Sequence, residues 1–304
     1  MFVASLLLAM MSGGCSIASD RTCFTKRTGV VLPDRAKVLG NVSNGGSGRA
    51  LAESVLDGRL DEAAAMLARD PRLIQTVVTH DPRMDAAPTG QSGDLLTLAV
   101  SRCDMDMIDM LLKAGMPVNG VKVGNALSLA LLADTPDMAD ALLKAGASPD
   151  PQKLAGGEDA MATAMTFSHP GSIMTLLRYG ADPRYTDAFG VDRVREAVGT
   201  EQTDIAEILV KAGATLWTVA EDGSMAVHDL SRPAMVFKTP ALQAARGRLF
   251  ALAESQAKAA DLPWPAPDRA TIKRMMVAGQ WPTAAMLKVG MVPSPQALAR
   301  MKTP

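Results

Sequence analysis

Four glycines punctuate the middle of this chain at an almost constant interval. Gly115, Gly146, Gly180 and Gly213 are spaced by 31, 34 and 33 residues. Each closes a similar apolar run: LLKAG before Met116, LLKAG before Ala147, LLRYG before Ala181 and LVKAG before Ala214. A period in this range marks a stacked repeat, in which each unit buries its apolar face against the next. Glycine after such a run is a helix stop, because the residue beyond the last turn adopts a left-handed backbone most cheaply without a Cβ.

Upstream of each glycine the same grammar recurs over 22 residues. Asp94–Gly115, Asn125–Gly146, Asp159–Gly180 and Asp192–Gly213 each read as two short helices with a turn between. Leu95–Arg102 and Met105–Ala114 form the first such pair, with Met107, Ile108, Leu111 and Leu112 on one helical face. Pro136 falls in the first turn of a second helix, where its missing N–H costs nothing. Asp or Asn begins each unit and supplies an N-cap. Leu51–Ile74 reads as a capping unit broken at Asp57-Gly58, and His80–Gly93 as a polar insertion. Aromatic residues are only 4% while Met numbers 20, which suits close helix packing rather than strands.

These units resemble ankyrin repeats. The second helices keep the L-L-x-x-G ending, and Gly180-Ala181-Asp182 matches it fully. The resemblance spans about Leu51–Leu230, including a sixth unit that begins at Met225. It implies an all-α solenoid of helix pairs with finger loops at residues 49–230, a non-enzymatic fold, and a protein partner. It also implies structural roles for two of the three histidines, His169 and His228, each bonding backbone in a neighbouring turn; His80 lies in the insertion. Residues 231–304 read as degenerate helical repeats and a cap, with a helix from Thr239-Pro240 to about Ala260 and a last pair ending at Gly290.

The N-terminus reads as a processing segment over residues 1–18. Phe2–Met11 is apolar but half the length a membrane span requires. MSGGCS resembles a bacterial lipobox, which makes Cys15 the lipidation candidate; Ser16-Ile17-Ala18 offers an alternative cleavage site. Either exports the chain to the periplasmic side of the bacterial envelope, lipid-anchored in the first case and soluble in the second; an uncleaved or non-secretory end is the remaining reading. Residues 19–48, with the glycine-rich NVSNGGSG, read as a flexible tether. Export would make a Cys23–Cys103 bridge an open alternative, but the two are expected as free thiols, since nothing in the sequence brings them together.

No nucleotide-binding, hydrolase or metal-ligand motif occurs, so no cofactor and no metal are expected. The charges, 31 basic and 32 acidic, read as spread along the chain, with no footprint for nucleic acid and no membrane contact beyond the anchor. Asp61-Glu62 and Glu221-Asp222 read as solvated carboxylates, and an enzyme with its site in Ser231–Trp264 is the least supported alternative. The residues hardest to explain by the repeat are finger aromatics and an arginine: Arg184, Tyr185 and Phe189 on one finger, Trp217 on the next. Exposed, they form a protein-binding surface; packed, they serve neighbouring fingers or the C-terminal region. The chain is expected to be a monomer. The resemblance implies an immunity-type inhibitor of a secreted toxin, or else an envelope assembly factor. Labelled fatty acid is expected to enter the wild-type chain in the bacterial envelope and not the Cys15→Ala variant; equal labelling removes the anchor.

Overall fold

The computed structural model describes residues 35–79, 92–120, 126–150, 160–166, 168–187, 189–233, 239–295 and 298–299. The processing segment, Cys15, Cys23, His80 and most of the insertion lie outside them. The chain divides into two compact units, residues 1–179 and 180–304.

In the first unit, α1 (Arg35–Gly40), β1 (Asn41–Val42), α2 (Gly45–Asp57) and α3 (Leu60–Arg69) come first. A 3-10 turn (Pro71–Gln75), β2 (Val77–Thr79) and β3 (Ser92–Asp94) follow. Then come three helix pairs: α4 (Leu95–Arg102) with α5 (Met105–Lys113), α6 (Ala126–Leu132) with α7 (Pro136–Lys144), and α8 (Ala160–Thr166) with α9 (Pro170–Arg178). First helices pack on first helices, α2 to α4 to α6 to α8, and α7 packs on α9. The repeat glycines close their helices with φ of 90° at Gly115 and 95° at Gly146. Leu51, Leu95, Leu96, Met107, Ile108, Leu111, Leu131, Leu142 and Ile173 are fully buried between the layers. The all-α repeat architecture is therefore as expected, down to the turn at Gly58.

Cross-repeat ties run along this unit. The His169 Nδ1 lies 3.1 Å from the Leu131 carbonyl, the structural role expected of it. Tyr179 donates its hydroxyl to Asp140 Oδ1 at 2.6 Å, and Lys144 and Arg178 flank the same carboxylate.

The tether differs from expectation between Arg35 and Gly48. These residues form α1, β1 and the first turn of α2. Strands β1, β2 and β3 make a small antiparallel sheet, with Asn41 opposite Thr79 and Val78 opposite Gly93. The glycine-rich composition serves a tight turn rather than mobility. Asn44 and Gly45 are left-handed at φ 64° and 61°, and a Cβ at Gly48 would sit 2.0 Å from the Ser43 carbonyl oxygen. Ser43 accepts the Val77 N–H at 2.8 Å through its hydroxyl, and Asn44 donates to the Thr76 hydroxyl at 3.1 Å. Cys103 differs too: it is disulfide-bonded rather than free.

The second unit holds α10 (Arg193–Gly199), α11 (Thr203–Lys211), α12 (Ala226–Leu230), α13 (Pro240–Ala259), α14 (Arg269–Val277) and α15 (Ala284–Lys288). Here the repeat does not lapse at residue 230. Helix α13 is the second helix of the sixth pair and stacks on α11. Thr203 donates to the Leu242 carbonyl at 2.6 Å, and Arg248 grips Glu207 through two bonds of 2.7 and 2.8 Å. The proline-containing insertion at 231–239 hid this continuity, because it shifts the helix out of period.

His228 completes the pattern. Its Nδ1 accepts the Met225 N–H at 3.2 Å, so the proton resides on Nε2, which donates to the Pro267 carbonyl at 2.8 Å. Burial holds this imidazole below its ordinary pKa, consistent with a neutral ring bridging two backbone groups.

Trp217 is a core residue of this unit, 0% exposed, and not part of an exposed finger. Its indole N–H donates to Gln256 Oε1 at 2.8 Å, and the Trp264 ring meets it edge-on at 6.2 Å. The C-terminal segment closes over the same loop. Val219 donates its N–H to the Val292 carbonyl at 2.9 Å and accepts the Ser294 N–H at 3.0 Å, a parallel bridge. The Trp217→Ala variant is expected to lose about 3–5 kcal/mol of stability, as large buried aromatics do. Urea unfolding followed by far-UV circular dichroism measures this; a loss under about 1 kcal/mol contradicts the assignment.

Candidate functional site: the finger at residues 181–192

The finger that precedes α10 is a hairpin held by its own short polar side chains. Asp182 accepts the Arg184 N–H at 2.8 Å, and the Asp182 carbonyl accepts the Tyr185 N–H at 3.2 Å. Asp187 does the same at the tip: Oδ1 takes the Phe189 N–H at 2.8 Å and the Val191 N–H at 2.9 Å. Aspartate side chains mimic a backbone turn in this way. Thr186 pairs with Asp192 across the hairpin, and Gly190 (φ 74°) makes the reversal. The tip is anchored further by the Glu221 N–H, 3.4 Å from the Phe189 carbonyl.

The expected contact residues separate into different environments. Arg184 is exposed, but its Nε donates to the Gly213 carbonyl at 2.9 Å, tying the finger to the end of α11. Tyr185 is half-buried, with the Arg193 guanidinium 5.0 Å from its ring centroid. That arginine is itself buried and paired with Glu196. Phe189 is 63% exposed, at the tip. The structure thus brings Arg184, Tyr185 and Phe189 onto one finger and removes Trp217 to the core. The difference between Arg184 and Trp217, which occupy equivalent positions four residues after their glycines, is what covers them. The second finger carries Trp264, α13 and the C-terminal segment against it.

Asp187 was missed as a site residue. Its signal was present as the D-x-x-G turn from Asp187 to Gly190, which fixes where a turn lies but not what it displays. Among the described residues no three His, Cys, Asp or Glu side chains are grouped to hold a metal ion.

At the base of the finger, Asp192 caps α10 by accepting the Arg195 N–H at 2.6 Å, and it is only 3% exposed. Burial pushes its carboxyl up to about 6, against the opposing pull of the Arg195 amide, the Thr218 hydroxyl and the Arg195 guanidinium.

Comparison with known proteins adds little to this geometry. No protein-family model matches the chain, and no curated protein does. Among the solved structures that match is a crystal structure described as an ankyrin repeat protein, at 21% identity and a TM-score of 0.42. The match covers 65% of this chain and 96% of that one.

The raised carboxyl of Asp192 carries a prediction with a definite sign. Its pKa moves from 3.8 unfolded to about 6 folded, so the stability belonging to the neutral acid is full below pH 3.8. That stability is lost as pH rises to about 6, by at most about 3 kcal/mol. Asp192→Asn keeps an acceptor for the cap and cannot ionise. Its stability relative to wild type is expected to rise between pH 4 and pH 6.5 in urea titrations, and a difference independent of pH overturns the assignment.

Proposed function

We propose that this chain is a non-enzymatic protein-binding repeat scaffold whose contact surface centres on Phe189. One observation carries the reading: a phenylalanine is held 63% exposed on a hairpin whose backbone N–H groups are locked by Asp187. Exposing a large apolar side chain is unfavourable in the free protein, and a finger fixed in advance loses little entropy on binding. Arg184 and the half-buried Tyr185 flank it, the residue types that anchor protein interfaces. Trp217 has no part in the surface.

The site of action proposed is the bacterial envelope. Cys103 is disulfide-bonded, which supports an oxidising compartment, and MSGGCS at the N-terminus supports export with an anchor at Cys15. Within that setting, the ankyrin resemblance favours inhibition of a secreted toxin as the role.

Phe189→Ala is expected to weaken partner binding at least about tenfold, the effect of losing an interface anchor, with the urea midpoint unchanged. Titration calorimetry with the captured partner measures the affinity and urea unfolding the midpoint; unchanged affinity sinks the finger as the contact surface. Neutralisation of an adjacent toxin gene's product on co-expression, lost with Phe189→Ala, supports the inhibitor role. Capture of a resident envelope protein instead assigns the chain to assembly.

A further inference from the structure

The charges of this chain are not evenly spread. From Arg269 to Pro304 there are six cations, Arg269, Lys273, Arg274, Lys288, Arg300 and Lys302, and no Asp or Glu. With 31 basic and 32 acidic residues in the whole chain, the preceding residues 1–268 hold 25 and 32, a net charge of −7 against +6. The same stretch is rich in exposed apolar side chains: Val277 is 82% exposed, Leu287 52%, Leu298 42% and Val292 39%.

Helix α14 brings the two properties together. Ile272 and Met276 face the core. The outward side presents Ala270, Lys273, Arg274, Val277 and Ala278 around one shallow depression. Among the described residues Lys273 makes no ion pair, and Arg274 donates to the Thr271 hydroxyl at 2.8 Å and lies near the Asp268 carboxylate. Arg269, by contrast, is engaged with Asp222 at 3.0 Å. In α15, Leu287 and Lys288 are again exposed neighbours.

We infer that this cationic, apolar face docks on an anionic lipid surface. Two features favour lipid over an acidic protein, and a third suits an anionic surface. The depression is shallow and has no aromatic anchor, since Trp281 of this region is only 7% exposed. Its exposed apolar groups, Ala270, Val277 and Ala278, are aliphatic, and further exposed aliphatic side chains follow along the chain at Leu287 and Val292, which suits a fluid interface with no shape of its own. Charge complementarity is marked: these 36 residues hold no Asp or Glu, and the carboxylates nearby, Asp268 at the α14 N-cap and Asp222 paired with Arg269, lie at the start of the helix and leave Lys273 and Lys288 unopposed by any described ion pair. Lysine and arginine beside aliphatic side chains are the components of interfacial membrane binding, in which the cations meet headgroups and the apolar groups enter the acyl boundary. A second copy of the same face is disfavoured by repulsion between like charges. This contact is peripheral; among the described residues no helix is long and apolar enough to cross a membrane.

The test uses the full chain carrying Cys15→Ser, so that acylation cannot supply the binding. Co-flotation is measured with vesicles of phosphatidylcholine alone and with phosphatidylglycerol added. The chain is expected on the anionic vesicles only, and to be released by salt over the range in which the Debye length shortens from about 30 to 10 Å. Lys273→Gln with Arg274→Gln is expected to weaken binding about thirtyfold, and Val277→Ser to weaken it severalfold with the salt dependence kept. Circular dichroism melts confirm that these exposed-site variants fold. Absence of the chain from anionic vesicles, or binding indifferent to the substitutions, overturns the inference. Polyglutamate binding that is sensitive to the same substitutions, with no vesicle binding, overturns it in favour of an acidic protein partner.

Discussion

A pair of short helices has one apolar side and nothing of its own to cover it. The packing of first helix on first helix supplies the cover, and everything else in this protein is arranged around that dependence. In the unit ending at Tyr179, α2, α4, α6 and α8 form one such line. In the unit beginning at Gly180, α10 packs on α12 and α11 on α13. The polar ties then fix register rather than supply the bulk of the stability. His169 at the Leu131 carbonyl and His228 at the Pro267 carbonyl each span 38 or 39 residues, one repeat and its connection. At His228 a neutral imidazole suits the task because it satisfies backbone groups that the stacking would otherwise leave buried without partners.

The two fingers of the second unit show how the same local grammar reaches opposite ends. Both leave a left-handed glycine, Gly180 at φ 86° and Gly213 at φ 104°. The first is closed by its own aspartates and displays Phe189. The second is closed by distant chain: Val292 and Ser294 pair with Val219, Thr215 donates to the Val289 carbonyl at 3.2 Å, and Met291 is fully buried. A unit that ends by covering one finger leaves the tip of the other exposed. The C-terminal region therefore caps the repeat on one side and, in its acid-free helix α14, presents a second and chemically different surface on another.

Capping and burial pull against each other at the finger's base. Asp192 is an N-cap, and an N-cap carboxylate is ordinarily favoured by the helix dipole. Here the cap is also buried, and burial outweighs the dipole and the hydrogen bonds. Asp94 repeats the arrangement at 2% exposure, accepting the Thr97 N–H at 2.9 Å and hydroxyl at 3.0 Å. At Asp192, aspartate as a replacement for the repeat's usual cap is sound locally and costly once neighbours close over it.

Periodicity and local turn signals determined the helix pairs, their glycine stops and the Pro136 start, because these rest on interactions within a turn or at a fixed repeat distance; the roles of His169 and His228 followed from the ankyrin resemblance. Most of the finger's chemistry was legible in the same way, down to Arg184, Tyr185 and Phe189 as residues outside the repeat pattern. Burial was not. Trp217 and Phe189 both read as exposed finger aromatics, and only Gln256, Trp264 and the returning C-terminal segment separate them. Asn44, Gly45 and Gly48 read as a flexible tether until the Ser43 carbonyl and β2 showed the turn they make. Composition reports what a residue allows, whereas exposure depends on which distant part of the chain arrives to cover it. That is decided by the summed packing of the whole unit, which no local stretch contains.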